Sequence, residues 1–138
     1  MTLNPDLVRT RCGDIEDAAQ RLEAIRRMPR ADFLTDRDAQ DIAVRRVLVA
    51  IEAALSLCYH VSARQLRRVP DDFAGCFAGL GEAGLVPPPL AERLQSMARF
   101  RNLLVHMYWK VDYGRVFDLL ADGLEDLRAF SSAMARLV

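Results

Sequence analysis

The sequence predicts an all-α fold, an antiparallel bundle of four long helices and one short one. Three observations carry that expectation. Hydrophobic residues make up 51 % of the chain and aromatics only 7 %, with much Ala, Leu and Arg and few β-branched runs, a mixture that favours helices packed on helices. Apolar residues recur at threes and fours rather than at twos. The interruptions are Pro, Gly and Asp or Asn caps placed where helices end and begin. At 138 residues the chain is read as one domain, 1–138, with a single core.

The first helix is expected from Asn4 or Pro5 to about Arg27, with Val8, Ile15, Ala18, Leu22 and Ile25 on one face. Pro29 and the Arg30-Ala31-Asp32 stretch end it. Thr35 or Asp36 caps the second helix and Asp38 reinforces its first turn. That helix should run from about Arg37 to Arg64, and Ile42, Val44, Val47, Leu48, Ile51, Leu55, Cys58 and Val61 give it apolar side chains over more than half its circumference. It is the central element. A shorter helix, Phe73 to Ala83, follows Pro70 and Asp71-Asp72, presents Phe73, Phe77 and Leu80, and is closed by Gly84. Gly75, Gly79, Gly81 and Gly84 do not make a phosphate loop, because no strand precedes them and no Lys-Ser/Thr follows. Pro87-Pro88-Pro89 launches a helix at Leu90 that is expected to continue to Trp109. After a turn at Lys110 to Asp112, the last helix runs from Tyr113 to about Arg136 with Val116, Leu119, Leu120, Leu124, Leu127 and Phe130 inward.

Charge and cysteine content narrow the function classes. Nineteen acidic residues balance nineteen basic ones, so the broad basic footprint of a high-affinity duplex binder is absent and any nucleic-acid contact is small and focused. Cys12, Cys58 and Cys76 are odd in number and widely spaced, which points to a reduced, cytoplasmic chain. No metal-binding spacing is present. The N-terminus does not read as a signal peptide. The longest apolar run, Val47 to Val61, contains Glu52 and Ser56 and falls short of the roughly 20 residues a membrane span needs.

One stretch does not read as scaffold: Arg99-Phe100-Arg101-Asn102-Leu103-Leu104-Val105-His106-Met107-Tyr108-Trp109. On a continuous helix Leu94, Met97, Leu104 and Val105 line one seam, and Arg101 and Tyr108 fall inside it. A charge there calls for a phosphate, a carboxylate or a second chain. Asn102 and His106 share an adjacent face. An ordinary imidazole titrates near pH 6.5, so His106 can take a proton from a ribose 2′-hydroxyl or give one to a leaving 5′-oxygen. The Arg101 guanidinium offers a planar fork of donors for the scissile phosphate and its transition state, and Asn102 can orient the imidazole or the phosphate. Arg101 and His106 point about 140° apart on one helix, so two copies of the chain serve one site better than one does. The wide apolar arc from Leu103 and Met107 round to Val105 fits burial against such a second copy.

Arg101-x-x-x-x-His106-x-Tyr108, with Asn102 directly after the Arg, resembles the motif of the HepT-like HEPN toxins. The resemblance extends from about Ala43 to the C-terminus, through Ile51-Glu52-Ala53-Ala54-Leu55 and His60, Gly81-Glu82-Ala83-Gly84-Leu85-Val86-Pro87, Leu90-Ala91-Glu92-Arg93-Leu94 and Val111-Asp112. It implies a homodimeric HEPN-like bundle whose paired motifs face one another at the interface. It also implies a metal-independent endoribonuclease toxin with Arg101, Asn102 and His106 as catalytic residues and no cofactor. The partner it implies is a minimal nucleotidyltransferase (MNT-type) antitoxin that adds AMP to Tyr108. In one respect the chain departs from the family: Ser56 stands where relatives often carry an acid on the second helix. The alternative reading is a non-catalytic helical dimer that serves as interaction subunit for the nucleotidyltransferase. Of the remaining polar residues, His60 is expected to be structural and Glu52 to pair with a basic residue of the bundle. Arg45 and Arg46 either line the cleft or form a solvated face, and Trp109 either stacks on a base or anchors the bundle end.

Overall fold

The computed structural model describes residues 2–138. Its helices are α1 (Pro5–Arg26), α2 (Arg30–Phe33), α3 (Arg37–Arg64), α4 (Phe73–Glu82), α5 (Pro88–His106) and α6 (Tyr113–Ala135), with a 3-10 turn at Tyr108–Lys110. The four long helices and the short one are all present, and α5 alone among them ends well short of its expected limit, at His106 rather than Trp109. The single turn of α2, started by Pro29, is an addition.

Caps fix the helix starts. The side chains of Asn4, Asp36, Asp72 and Asp112 each accept from backbone N–H groups of the first turn that follows, which satisfies donors that would otherwise be orphaned. Gly84 lies just beyond α4 at φ +77°, and the Leu85 N–H returns to the Leu80 carbonyl at 3.0 Å. Only a residue without a Cβ takes that left-handed position cheaply.

The core is built on α3. Ala43, Val47, Ala50, Ala54, Leu57 and Val61 are buried along it, at alternating steps of four and three that keep one seam facing its neighbours. α1 packs on α3 and α6, while α4 packs on α5. Ile42 is a correction to the expected inward set, being half exposed at 50 %. Alanines take the seam instead, because small side chains let the helix axes approach. Gln40 is buried and donates to the Phe33 carbonyl at 3.1 Å, and the Phe33 ring meets Phe117 at 5.1 Å, so α2 is stitched to both α3 and α6. Cys58 and Cys76, expected to be reduced, are joined in a disulfide between α3 and α4. The crossing brings their Cα atoms to 6.2 Å, within the range a bridge spans, whereas Cys12 is free.

Among the described residues, no helix is long and apolar enough to cross a membrane. No group of three or more His, Cys, Asp or Glu side chains is placed to hold a metal ion among them.

Candidate nuclease site

Arg101 projects from the last third of α5 into a frame made by its own chain. Its Nε donates to Oε1 of Glu52 on α3, its Nη1 donates to Oδ1 of Asn102 at 3.1 Å, and its guanidinium carbon lies 4.8 Å above the Phe73 ring of α4. Three helices hold one planar cation. The partner called for by a charge in a core-like position is therefore the Glu52 carboxylate, one turn before Ser56 on α3. The side chain keeps 16 % of its surface exposed. No protein group takes the Nη2 hydrogens, and Nη2 is not among the buried unpartnered atoms. Among the described residues the Nη2 donors are thus left without a protein partner, while Nε, Nη1 and one face of the guanidinium are occupied.

The Asn102 side-chain carbonyl accepts from Arg101, while its amide N–H groups have no partner among the described residues and remain able to reach an imidazole or a phosphate. The His106 ring is exposed and has no hydrogen-bond partner among the described residues, at the last residue of α5. An imidazole so placed is accessible to a substrate.

Tyr108 requires a larger correction. The expected helix to Trp109 stops at His106, and Met107 leaves helical geometry at φ −126°, ψ 43°. The register that aligned Tyr108 with Arg101 does not exist. The physical reason lies in burial, since Val105 to Lys110 are all exposed and nothing packs on them to extend the helix while the chain turns into α6. Tyr108 is 73 % exposed and meets only the edge of Trp109, at 5.4 Å. It does not pack in the α5 seam, nor does Trp109 anchor the bundle, being 65 % exposed. Leu103, Val105 and Met107 are also partly exposed, on either side of the buried Leu104, so the end of α5 carries several apolar side chains that the protomer leaves uncovered.

His60 lies away from this site. Its Nε2 accepts from the Asn4 N–H at 2.9 Å, and burial, followed by the Arg64 charge, lowers its pKa below the ordinary 6.5. It is structural, as expected. Arg45 lines an open groove between α1 and α3, with Arg11, Asp14 and Glu52.

Fold and site together define an all-α bundle carrying a fixed guanidinium and an exposed imidazole on one helix, the equipment for binding and cleaving a phosphodiester. Residues 15–134 match the family model described as ribonuclease HepT-like, and the chain belongs to that family. Over 100 residues it is 26 % identical to the mRNA nuclease HepT of Shewanella oneidensis, covering 72 % of this chain and 75 % of that one. Its fold matches the tri-AMPylated HEPN toxin of Shewanella oneidensis, solved with its MNT antitoxin, at a TM-score of 0.85 and 22 % identity, over 95 % of this chain and 98 % of that one. A toxin–antitoxin structure with AMP-PNP matches at 0.83 and 22 % identity, over 94 % and 98 %.

Proposed function

We propose that this chain is the ribonuclease toxin of a toxin–antitoxin pair, acting in the cytoplasm on RNA without a metal ion. The observation that carries the reading is the state of Arg101: a guanidinium held at Nε, at Nη1 and on one face, with its Nη2 donors unbonded, on the same helix as an accessible imidazole. In the reaction the ribose 2′-oxygen attacks the adjacent phosphorus and the 5′-oxygen leaves. One His106 takes the 2′-hydroxyl proton as the P–O bond forms, and a protonated His106 gives a proton to the departing 5′-oxygen. The free Arg101 Nη2 donors bind the phosphate and stabilise the charge added in the pentavalent transition state. A homodimer joined through the uncovered end of α5 supplies both imidazoles to one cleft. Neutralisation is by a nucleotidyltransferase antitoxin that joins AMP to the Tyr108 hydroxyl, a reading supported by the AMPylated state of the Shewanella toxin and by the exposure of Tyr108.

The test is cleavage of single-stranded RNA by the purified protein in a chelator. Arg101→Ala and His106→Ala should each lower the rate by about 10² to 10⁴ with the fold intact. Activity that requires added Mg²⁺, or that survives His106→Ala, would overturn the acid–base assignment and leave an interaction subunit for the nucleotidyltransferase as the function.

A further inference from the structure

The Arg101 frame includes one group that has no charge and lies far away in the sequence. Phe73 opens α4 directly after the Asp72 cap, and its ring lies beneath the guanidinium. The ring is itself held, because Tyr59 of α3 meets it edge-on with centroids 6.1 Å apart and planes at 87°. That T-shaped contact directs the positive ring edge of one aromatic to the face of the other, and burial of Tyr59 raises its pKa and keeps the phenol neutral. The contact fixes the plane of Phe73 from outside the site.

Consider what each contact removes from the Arg101 side chain. The Glu52 bond to Nε is a single contact on one edge, and a guanidinium held at one atom still swings out of plane about its last bonds. Asn102 follows Arg101 in the chain and moves with α5, so it restrains Nη1 relative to that helix only. A flat π surface under the cation stops the out-of-plane swing and favours the cation electrostatically. It also occupies a face without using any N–H, and so leaves the Nη2 donors in a defined direction. Only Phe73 does both.

We propose that Phe73 is a positioning residue for RNA cleavage: its ring is the platform that sets the plane of Arg101 and aims the free Nη2 donors at the scissile phosphate. The inference rests on Arg101 acting in the reaction. Orientation of a charged donor governs the transition state more than ground-state association, because the pentavalent phosphorus places its extra charge in directions the substrate lacks. A misaimed fork still attracts the phosphate. Loss of the platform therefore lowers kcat and leaves KM nearly as it was.

The experiment compares Phe73→Leu, which keeps apolar bulk without a π face, with Phe73→Tyr, which keeps the face, in cleavage of a defined single-stranded RNA by the full chain. Phe73→Leu should lose about tenfold to a hundredfold in kcat with KM within about twofold, and Phe73→Tyr should stay close to the parent. In an Arg101→Ala background, Phe73→Leu should add no further loss, since the platform then carries nothing. Phe73→Met serves as the face-less variant if Phe73→Leu does not fold. Parental kcat in the face-less variant, or equal loss in the leucine and tyrosine variants, would overturn the proposal while Arg101→Ala keeps its own measurable loss. Full activity of Arg101→Ala would overturn the ribonuclease assignment itself, a different result in a different variant.

Discussion

An arginine that waits for a phosphate has to stay charged, keep its plane and avoid a partner that saturates it. Arg101 meets these conditions because Glu52 engages it through Nε alone and is itself 49 % exposed, so the pair is a tether rather than a sealed buried bridge. Tyr108 has no such frame. A phenol standing in solvent suits a residue that a second enzyme must reach, and the negative phosphodiester it would acquire is a natural rival of RNA for the free guanidinium donors. When this chain is co-produced with a nucleotidyltransferase antitoxin, intact-mass measurement should show additions of one or more adenylyl groups. These should vanish in Tyr108→Phe. Neutralised toxicity with an unmodified mass would mean that the antitoxin works by binding alone.

At the scale of the helix, the ends of α1 and α3 are coupled through His60 and the backbone of the Asn4 cap. Burial depresses the His60 pKa below 6.5, so the unfolded chain binds a proton more readily than the folded one. The His60 contribution is complete above pH 6.5 and is lost as pH falls from there through the folded value. Melting temperature should decline over that window by a few degrees, in line with one hydrogen bond of about 1 kcal/mol. His60→Gln, which can still accept from Asn4, should flatten the decline. The helices themselves were legible from the residues wherever a cap and a periodic apolar face agreed: α3 runs from Arg37 to Arg64 behind its Asp36 cap as its pattern directs. Two features were not legible. α2 is four residues long, too short for any period to register. The end of α5 at His106 carries no Gly or Pro to announce it, and the termination follows from the lack of a neighbour to pack on Val105 and Met107. Arg101, Asn102 and His106 stand out as candidates from their spacing and from the resemblance. The platform under Arg101 could not, because Phe73 reads as an ordinary apolar residue of α4 and only the tertiary crossing brings it to Arg101.

For the whole molecule, the outward directions of Arg101 and His106 and the uncovered apolar side chains between Leu103 and Trp109 are two sides of one argument for a two-fold assembly. If one cleft on the two-fold axis draws an imidazole from each protomer and both proton transfers are needed, a single defective chain should silence its dimer. Parental and His106→Ala chains, co-folded in equal amounts, give a quarter parental and half mixed dimers, so activity should fall to about a quarter of the parental value. About three quarters of parental activity, with mixed dimers demonstrated by mass, would mean that one imidazole per dimer suffices.

The contact between α4 and α5 carries a consequence of its own. A Cβ built on Gly81 would stand 2.7 Å from the Ala91 Cβ, so at that crossing the two helices touch with nothing but a hydrogen atom between backbone and methyl. Gly81 lies about 12 Å along α4 from Phe73 at a rise of 1.5 Å per residue. α4 is thus pinned at three heights: by Gly81 against α5, by the Cys58–Cys76 bridge to α3, and by Phe73 under the guanidinium. Adding a single methyl at Gly81 would act as a shim that forces α4 and α5, the helix that carries Arg101, apart at their crossing. The aim of the cation is in this sense machined into a joint that touches neither RNA nor any reacting group.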